Sequence, residues 1–267
     1  MNRTEQDNRL ITIVVVCLAT GMLMLDISVI NTALSEIAHG LDTGLGGLQW
    51  VVNAYTIPLA ATVLTAGAVA DRIGRRRLFL LGLAVFTASS ALCGAAGGIE
   101  VLVGARALQG LGASMMFATA LALISQVTSD PKARGKALAA FGAVMSAAFA
   151  LGPFIGGSLT EVLGWRAIFL VNVPIGVAVL WMTYRRVGES RDPTPRPVDL
   201  PGQVTLIAGL FLLVFALLRG NEDGWGSLGI VAALASAALL LTGFAIVEGR
   251  AREPMLPLRL LREPRFA

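Results

Sequence analysis

Eight long apolar runs, separated by short charged islands, constrain the fold of this chain more than any other feature. Each run is close to the twenty or so residues that an α-helix needs to cross a bilayer. The chain is only 14% charged, whereas soluble domains carry about a quarter charged residues. We therefore predict an all-α membrane protein, because the runs are too long and too continuously apolar for barrel strands. The predicted spans are residues 10–32, 49–70, 78–97, 101–125, 137–159, 165–184, 202–219 and 228–248.

The basic residues lie almost entirely in alternate connecting segments. Of the 21 lysines and arginines, only Arg166 and Arg219 fall in the opposite set of loops, and only Arg106 falls well inside a span. Basic residues concentrate in cytoplasmic loops, so this distribution predicts a multi-pass protein with both termini in the cytoplasm. The excess of positive charge is explained by membrane topology, and no nucleic-acid partner is expected.

One polar stretch divides the chain. Residues 185–201 are predicted to form a cytoplasmic proline-rich linker, because repeated prolines resist helix formation. The linker separates an N-terminal six-helix bundle, residues 1–184, from two additional transmembrane helices, residues 202–248. The last residues, 249–267, alternate basic and apolar side chains, which predicts a cytoplasmic or interfacial segment. The prolines of the linker are Pro193, Pro195, Pro197 and Pro201.

The segment GAVADRIGRRR, Gly67 to Arg77, places four arginines beside Asp71 between two spans. Gly67 and Asp71 are four residues apart and share a helix face. Gly67 permits close approach of a neighbouring helix, and Gly74 permits a tight turn. A loop that only sets topology does not require Asp71, so we favour a specific packing role. The candidate residues of this switch loop are Gly67, Asp71, Arg72, Gly74, Arg75 and Arg76.

Two charged residues lie well inside spans, Asp26 and Arg106. A charge at the bilayer centre costs about 2.5–3.5 kcal/mol on insertion scales, so Asp26 should be neutral, paired or in contact with water. It is either a proton or cation-substrate site or a static group satisfied by the backbone or a hydroxyl. Arg106 keeps its charge and needs a partner or a wet cavity. It either forms a cavity wall together with Gln109 or ties helices together through carbonyl groups.

The fifth span carries a proline among glycines. Pro153 removes a backbone donor and leaves the carbonyl of Phe149 without its usual partner. Gly152 and Gly156 form a G-x-x-x-G pair that allows close helix contact, and Gly157 follows. This pattern predicts a kinked, tightly packed helix, whose kink is either static or part of a conformational change.

Taken in order, the motifs resemble those of the major facilitator superfamily. GAVADRIGRRR looks like the superfamily's loop signature, and the remaining segments resemble its fourth-span motif, its exporter-associated fifth-span motif, and its drug:proton antiporter branch with fourteen spans. The segments that carry this resemblance are LVGARALQGLGA (102–113), ALGPFIGG (150–157), LDISVINTAL (25–34), LQWVVNAYTIPLA (48–60) and WRAIFLVNVPIG (165–176).

The resemblance implies a proton-coupled efflux transporter of lipophilic or cationic compounds in the plasma (inner) membrane. The energy source would be the proton gradient, with no cofactor and no metal. The implied proton and substrate site comprises Asp26, Arg106, Gln109 and Tyr55, in which Arg106 helps a nearby acid to release its proton. The implied antiporter-motif helix carries Gly152, Pro153, Gly156 and Gly157.

Two other functions stay open, an uptake carrier of the same fold and a non-transporting membrane subunit or remnant. Neither a nucleophile–base pair nor a cofactor loop is present in the sequence, so no enzyme activity is expected. A carrier of this fold needs two six-span bundles that rock around a central site. We therefore expect the chain to be truncated before the second bundle. The expected partners are the lipid bilayer, protons, a small-molecule substrate, and a second transporter half or another copy of the chain.

Overall fold

The computed structural model describes residues 3–128, 130–191 and 200–250, which form nine helices and no strand. Eight helical segments within these ranges are long and apolar enough to cross a membrane. The predicted all-α membrane architecture, with six spans followed by two, is confirmed. The helices are α1 (Arg3–Leu41), α2 (Leu45–Ile73), α3 (Arg75–Gly94), α4 (Ile99–Val127), α5 (Pro131–Leu163), α6 (Ala167–Leu170), α7 (Asn172–Arg186), α8 (Leu200–Asp223) and α9 (Leu228–Arg250).

Helices α1 and α5 are longer than the apolar runs that predicted them, with 39 and 33 residues. The start of α5 shows why the helix reaches beyond its apolar part. The Asp130 carboxylate accepts a hydrogen bond of 2.9 Å from the Ala133 amide, and Pro131 occupies the first turn. Both residue types favour helix starts, so the polar residues before the apolar run become helical.

The sixth span is interrupted, although the sequence predicted one continuous helix over residues 165–184. Helix α6 ends at Leu170, and α7 begins at Asn172. Pro174 has no amide hydrogen to donate to the carbonyl of Leu170, so regular helical bonding fails at this turn. The break places Asn172 at the first position of α7, inside the bundle.

Two large apolar clusters and a smaller one around Ala66, Ala70 and Leu78 pack the described part of the six-helix bundle. Helix α1 lies along α5, while α4 lies against both α2 and α3. One of the two large clusters is built around Leu23, Phe79, Phe86, Met116 and Leu123, and the second around Val29, Ile30, Leu102, Trp165 and Phe169. Along α1 and α4, the two in-span charged residues, Asp26 and Arg106, fall between the two large clusters.

The two additional spans dock on α2. Helix α8 packs against α9 and also against α2. Near one end of α2, the Trp50 ring lies 5.8 Å from Phe211 and 6.3 Å from Phe215, centroid to centroid. Further along α2, the Gln203 side chain forms hydrogen bonds with the Thr65 hydroxyl and the Ala61 carbonyl. Polar and aromatic contacts therefore attach the pair to the bundle.

Only the two ends of the predicted linker are described. Helix α7 continues to Arg186, and α8 already begins at Leu200, slightly before the predicted start at residue 202. Pro201 is tolerated there because the first turn of a helix needs no amide hydrogen from it. Residues 192–199 lie outside the described residues. The same holds for residues 251–267, which contain most of the predicted interfacial segment.

Candidate functional site

Asp26 and Arg106 form a buried ion pair between α1 and α4. Arg106 Nη1 lies 2.5 Å from Asp26 Oδ2, and the two side chains are 1% and 2% exposed for Arg106 and Asp26 respectively. Removing either partner from such a pair leaves an uncompensated buried charge, which costs about 3–5 kcal/mol. Asp26 was expected to be neutral, paired or in contact with water, and the structure shows it paired with Arg106.

Arg106 is held by further contacts on three sides. Its Nε donates to the Val51 carbonyl at 3.2 Å, and its Nη1 also donates to Gln109 Oε1 at 2.7 Å. The guanidinium carbon lies 4.3 Å from the centroid of the Tyr55 ring, a cation–π contact. Arg106 was predicted either to line a cavity or to tie helices together. In this structure it is buried and ties α1, α2 and α4 together.

Two amide side chains complete the surroundings of the Asp26 carboxylate. Gln109 Nε2 donates to Asp26 Oδ1 at 3.0 Å, and Asn172 Nδ2 donates to the same oxygen at 3.1 Å. Gln109 Nε2 also donates to Ser90 Oγ at 2.8 Å. The structure thus brings all four predicted site residues into one polar cluster with members on α1, α2, α3, α4 and α7.

Sequence reasoning missed Asn172 and Ser90. Neither residue ionises, so neither produces the strong signal that a charge in a span does. The segment VNVP offered a weaker signal, because it places an amide two residues before the span-breaking Pro174. Since unpaired polar groups in lipid are expensive, Asn172 had to find a partner inside the bundle.

The switch loop between α2 and α3 contains an ion pair that spans its turn. Arg75 Nη2 lies 2.9 Å from Asp71 Oδ1, an ion pair across the turn from α2 to α3. Gly74 forms this turn with φ = +113°, a conformation that favours glycine. Arg72 is exposed. A Cβ added to Gly67 would meet no heavy atom of the described residues within 4 Å, so the predicted close approach at Gly67 is not made here.

The start of α3 is capped by residues that follow α7, which the sequence did not predict. Glu189 accepts hydrogen bonds from the amides of Arg76 and Arg77 at 3.1 and 3.2 Å, one on each carboxylate oxygen. The carbonyl of Ser190 accepts the Arg75 amide at 2.9 Å. The first three amides of α3 therefore have partners, and the negative charge lies at the positive end of the helix dipole. The separation of more than a hundred residues hid this contact from sequence reasoning.

Helix α5 packs on α1 through the glycines predicted for close contact. A Cβ added to Gly152 would clash with the Ser28 side chain. One added to Gly156 would lie 3.0 Å from both Val29 Cγ1 and the Val29 carbonyl oxygen. One added to Gly157 would have only empty space around it among the described residues. The glycine pair therefore faces α1, while Gly157 faces away from it.

Residues 16–251 match the sequence profile described as the Major Facilitator Superfamily. The chain belongs to this superfamily. The family that the ordered motifs predicted is thereby confirmed. A crystal structure of the peptide transporter POT in complex with sulfate matches this superfamily chain with a TM-score of 0.67 at 14% identity. The match covers 90% of this chain and 53% of that one, and at this identity it shows the fold alone.

Curated relatives of this superfamily member carry the names of resistance proteins. Multidrug resistance protein Stp from Mycobacterium tuberculosis is 38% identical over 267 residues, covering 100% of this chain and 49% of Stp. The methylenomycin A resistance protein from Bacillus subtilis is 38% identical over 256 residues, covering 95% of this chain and 55% of that protein. The chain therefore spans about half the length of the curated relatives it matches.

Proposed function

We propose that this chain forms the N-terminal half of a proton-coupled efflux transporter for lipophilic or cationic compounds in the plasma membrane. The names of the two relatives, a multidrug and an antibiotic resistance protein, support export of small molecules. The alignment with about half of each relative supports a role as one half of a carrier. The basic residues of alternate loops support cytoplasmic termini. The proton gradient is the proposed energy source, without a cofactor.

The buried ion pair of Asp26 and Arg106 is the observation that carries this proposal. Asp26 can take up a proton and become neutral, whereas Arg106 stays charged. Proton uptake therefore changes the charge inside the bundle by one unit and removes the attraction between α1 and α4 at this point. A change of this kind is what couples a proton to helix movement.

The contacts of Arg106 allow this change without exposing a bare charge. When Asp26 is neutral, the Val51 carbonyl and Gln109 Oε1 still accept hydrogen bonds from Arg106, and the Tyr55 ring still covers the guanidinium. These contacts offset part of the cost of leaving the Arg106 charge buried without its counter-ion. Protonation of Asp26 is therefore expected to weaken the packing of α1 on α4, which is the change that the proposed function requires.

We assign the substrate to the same place. An aromatic ring attracts organic cations, but here Tyr55 is buried and Arg106 covers it, so a substrate cation would reach the ring only after Arg106 moves away. An ionised Asp26 would attract that cation, while a protonated Asp26 would not. Asp26 would then bind either the substrate cation or a proton, but not both at once. Coupled exchange of the two across a membrane requires this mutual exclusion.

The open glycine faces are the proposed contacts of a second bundle. A Cβ added to Gly67 on α2 or to Gly157 on α5 would meet no packing neighbour within 4 Å among the described residues, although small residues in spans permit close helix contact. Asp71 and Arg75 fix the turn beside Gly67. We propose that a second six-helix bundle packs on these faces and moves against them.

Transport in inverted membrane vesicles tests this function. The chain is expressed alone and with a separately encoded second bundle, and accumulation of tetraphenylphosphonium is followed while the vesicle interior is acidified. Efflux predicts accumulation that collapses when the pH gradient is dissipated. Accumulation only in right-side-out vesicles would indicate an uptake carrier. Specific self-association without transport in either orientation would indicate a membrane subunit.

A further inference from the structure

The carboxylate of Asp26 is surrounded by hydrogen-bond donors. Arg106 Nη1 donates to Oδ2, while Gln109 Nε2 and Asn172 Nδ2 both donate to Oδ1. An ionised carboxylate only accepts hydrogen bonds, so this arrangement suits the charged form. A protonated carboxyl group carries an O–H that must donate. Every described side chain that forms a hydrogen bond with the carboxylate is thus a donor, and none of these bonds accepts the proton that the proposed function places there.

Two of the candidate acceptors close to the carboxyl group, Gln109 Oε1 and Ser90 Oγ, already accept a hydrogen bond from a nitrogen donor. Gln109 Oε1 accepts from Arg106 Nη1 at 2.7 Å and lies 3.7 Å from Cys93 Sγ. Ser90 Oγ accepts from Gln109 Nε2 at 2.8 Å. Turning the Gln109 amide around would break its bond with Arg106 and place two sets of donors face to face. Gln109 is therefore fixed in its present orientation.

Asn172 is different, because only one end of its amide is used. Its Nδ2 donates to Asp26, but its Oδ1 is buried and accepts no hydrogen bond from any described residue. Buried polar atoms without partners are uncommon in native structures and call for an explanation. The Asn172 side chain is also compact, and a half-turn of its amide exchanges Nδ2 and Oδ1 with little displacement of other atoms.

We propose that Asn172 is a positioning residue that responds to the protonation state of Asp26. With Asp26 ionised, Asn172 Nδ2 donates to Asp26 Oδ1. When a proton adds to Oδ1, the amide turns, and Asn172 Oδ1 accepts the new O–H. One N–H···O bond is exchanged for one O–H···O bond, and Arg106 remains next to Oδ2. The inference rests on the proposed function, because it assumes that Asp26 takes up a proton.

The location of Asn172 gives this change a consequence. Asn172 is the first residue of α7 and directly follows the break in the sixth span at Val171. The side-chain hydrogen bond from α7 to Asp26 on α1 therefore changes its direction with each proton bound. The protonation state of the first span is thus transmitted to the sixth span at a point where regular helical bonding is interrupted.

Other groups face the same carboxyl. The charged or titratable side chains that act on Asp26 among the described residues are Arg106 on α4, Tyr55 on α2 and Cys93 on α3. Helices α5 and α6 approach this region through Gly152 and Phe169, neither of which ionises. The Tyr55 hydroxyl is also buried without a partner, so it is the competing acceptor that an experiment must distinguish.

Infrared difference spectroscopy tests this inference on the full chain in lipid nanodiscs, with asparagine labelled by ¹³C at its side-chain carbonyl. Lowering the pH in steps should produce a carboxylic C=O band that is missing in Asp26→Asn. At the same pH, one labelled amide band should shift to lower frequency, because its oxygen gains a hydrogen bond. That band should be missing in Asn172→Leu, or in Asn172→Ser if the leucine variant does not fold. It should be retained in the matched control Asn53→Leu, since Asn53 donates to the Gln49 carbonyl on its own helix.

The possible outcomes distinguish failure of the inference about Asn172 from failure of the proposed function. A titrating Asp26 band with an unmoved Asn172 band would overturn the inference and leave the proposed function intact. The inference would also be overturned if the Asp26 band shifted in Tyr55→Phe while the labelled asparagine bands did not respond to pH. That result would assign the acceptor of the Asp26 proton to the Tyr55 hydroxyl. If no Asp26 band forms at any pH at which the protein stays folded, proton uptake at Asp26 is excluded, and both the function and the inference fail.

Discussion

The hydroxyl of Ser28 donates a hydrogen bond of 2.7 Å to the carbonyl of Phe149. Phe149 lies four residues before Pro153, and the proline lacks the amide hydrogen that would bind this carbonyl in a regular helix. A side chain of α1 thus satisfies an oxygen of α5 that the proline leaves without a partner. The same serine lies against Gly152, so the hydrogen bond and the close packing of the two helices depend on each other.

Ser28→Ala should destabilise the chain by about 1–3 kcal/mol, because the Phe149 carbonyl loses its partner in an apolar environment. In a Pro153→Ala background the effect should be smaller, since alanine restores the amide that binds this carbonyl within α5. Thermal unfolding in detergent of the wild type, Ser28→Ala, Pro153→Ala and the double variant measures the effect of Ser28→Ala in both backgrounds. Ser158→Ala, at an exposed position on α5, is the control. Equal effects of Ser28→Ala in both backgrounds would contradict the assignment.

Gly156→Ala and Gly157→Ala should differ although they are neighbours. The new methyl group at position 156 would meet Val29 and Thr32, and overpacking of this kind costs about 1–3 kcal/mol. At position 157 the methyl group meets none of the described residues, and alanine favours helix by about 0.5–1 kcal/mol over glycine. Unfolding of the isolated chain should therefore begin at lower temperature for Gly156→Ala only. A similar loss in both variants would show that the glycine pair does not define the contact.

Glu189→Ala should loosen the start of α3. The variant removes both acceptors of the Arg76 and Arg77 amides, and losing a helix cap costs about 0.5–2 kcal/mol. Hydrogen exchange followed by mass spectrometry should show faster exchange at these two amides. The control is Glu161→Ala, which changes an exposed carboxylate on α5. Unchanged exchange at residues 76 and 77 would mean that Glu189 does not cap the helix.

The candidate site was only partly predictable from the sequence. Asp26 and Arg106 could be singled out because each carries a charge where lipid forbids an unpaired one. Their partnership could not be derived, because they are 80 positions apart and the packing of α1 on α4 decides it. Asn172 was missed because a neutral amide gives a weak signal. Arg106 was expected either to line a cavity or to tie helices together through carbonyls, and the structure shows it buried, bonded to the Val51 carbonyl and paired with Asp26.

The fold was easier to predict from the sequence than the contacts between the helices. The apolar runs predicted all eight spans because span length is set by bilayer thickness and composition. The break before Asn172 was missed, although Pro174 indicated it. The cap by Glu189 and the docking of Gln203 on Thr65 join distant parts of the chain. Such contacts depend on how the helices pack, which hydropathy does not describe.

Neutralising one member of the buried ion pair should be worse than neutralising both. Asp26→Asn leaves the Arg106 charge buried and uncompensated, which costs about 3–5 kcal/mol. Combining it with Arg106→Gln removes that charge, so the double variant should be more stable than Asp26→Asn alone. Chemical unfolding of the wild type, both single variants and the double variant gives the coupling energy. Strictly additive losses would show that the two side chains do not interact in the folded chain.

The central claim is that Asp26 exchanges a proton for substrate. Its most direct test is the proton movement that accompanies tetraphenylphosphonium transport in proteoliposomes, recorded with an entrapped pH dye. The proteoliposomes contain this chain together with a separately encoded second bundle of the kind proposed above. The account predicts proton movement opposite to the substrate in the wild type and in Glu36→Gln, which changes an exposed carboxylate on the same helix. It predicts loss of proton movement in Asp26→Asn. Proton movement that persists in Asp26→Asn at the wild-type ratio to substrate would contradict the account.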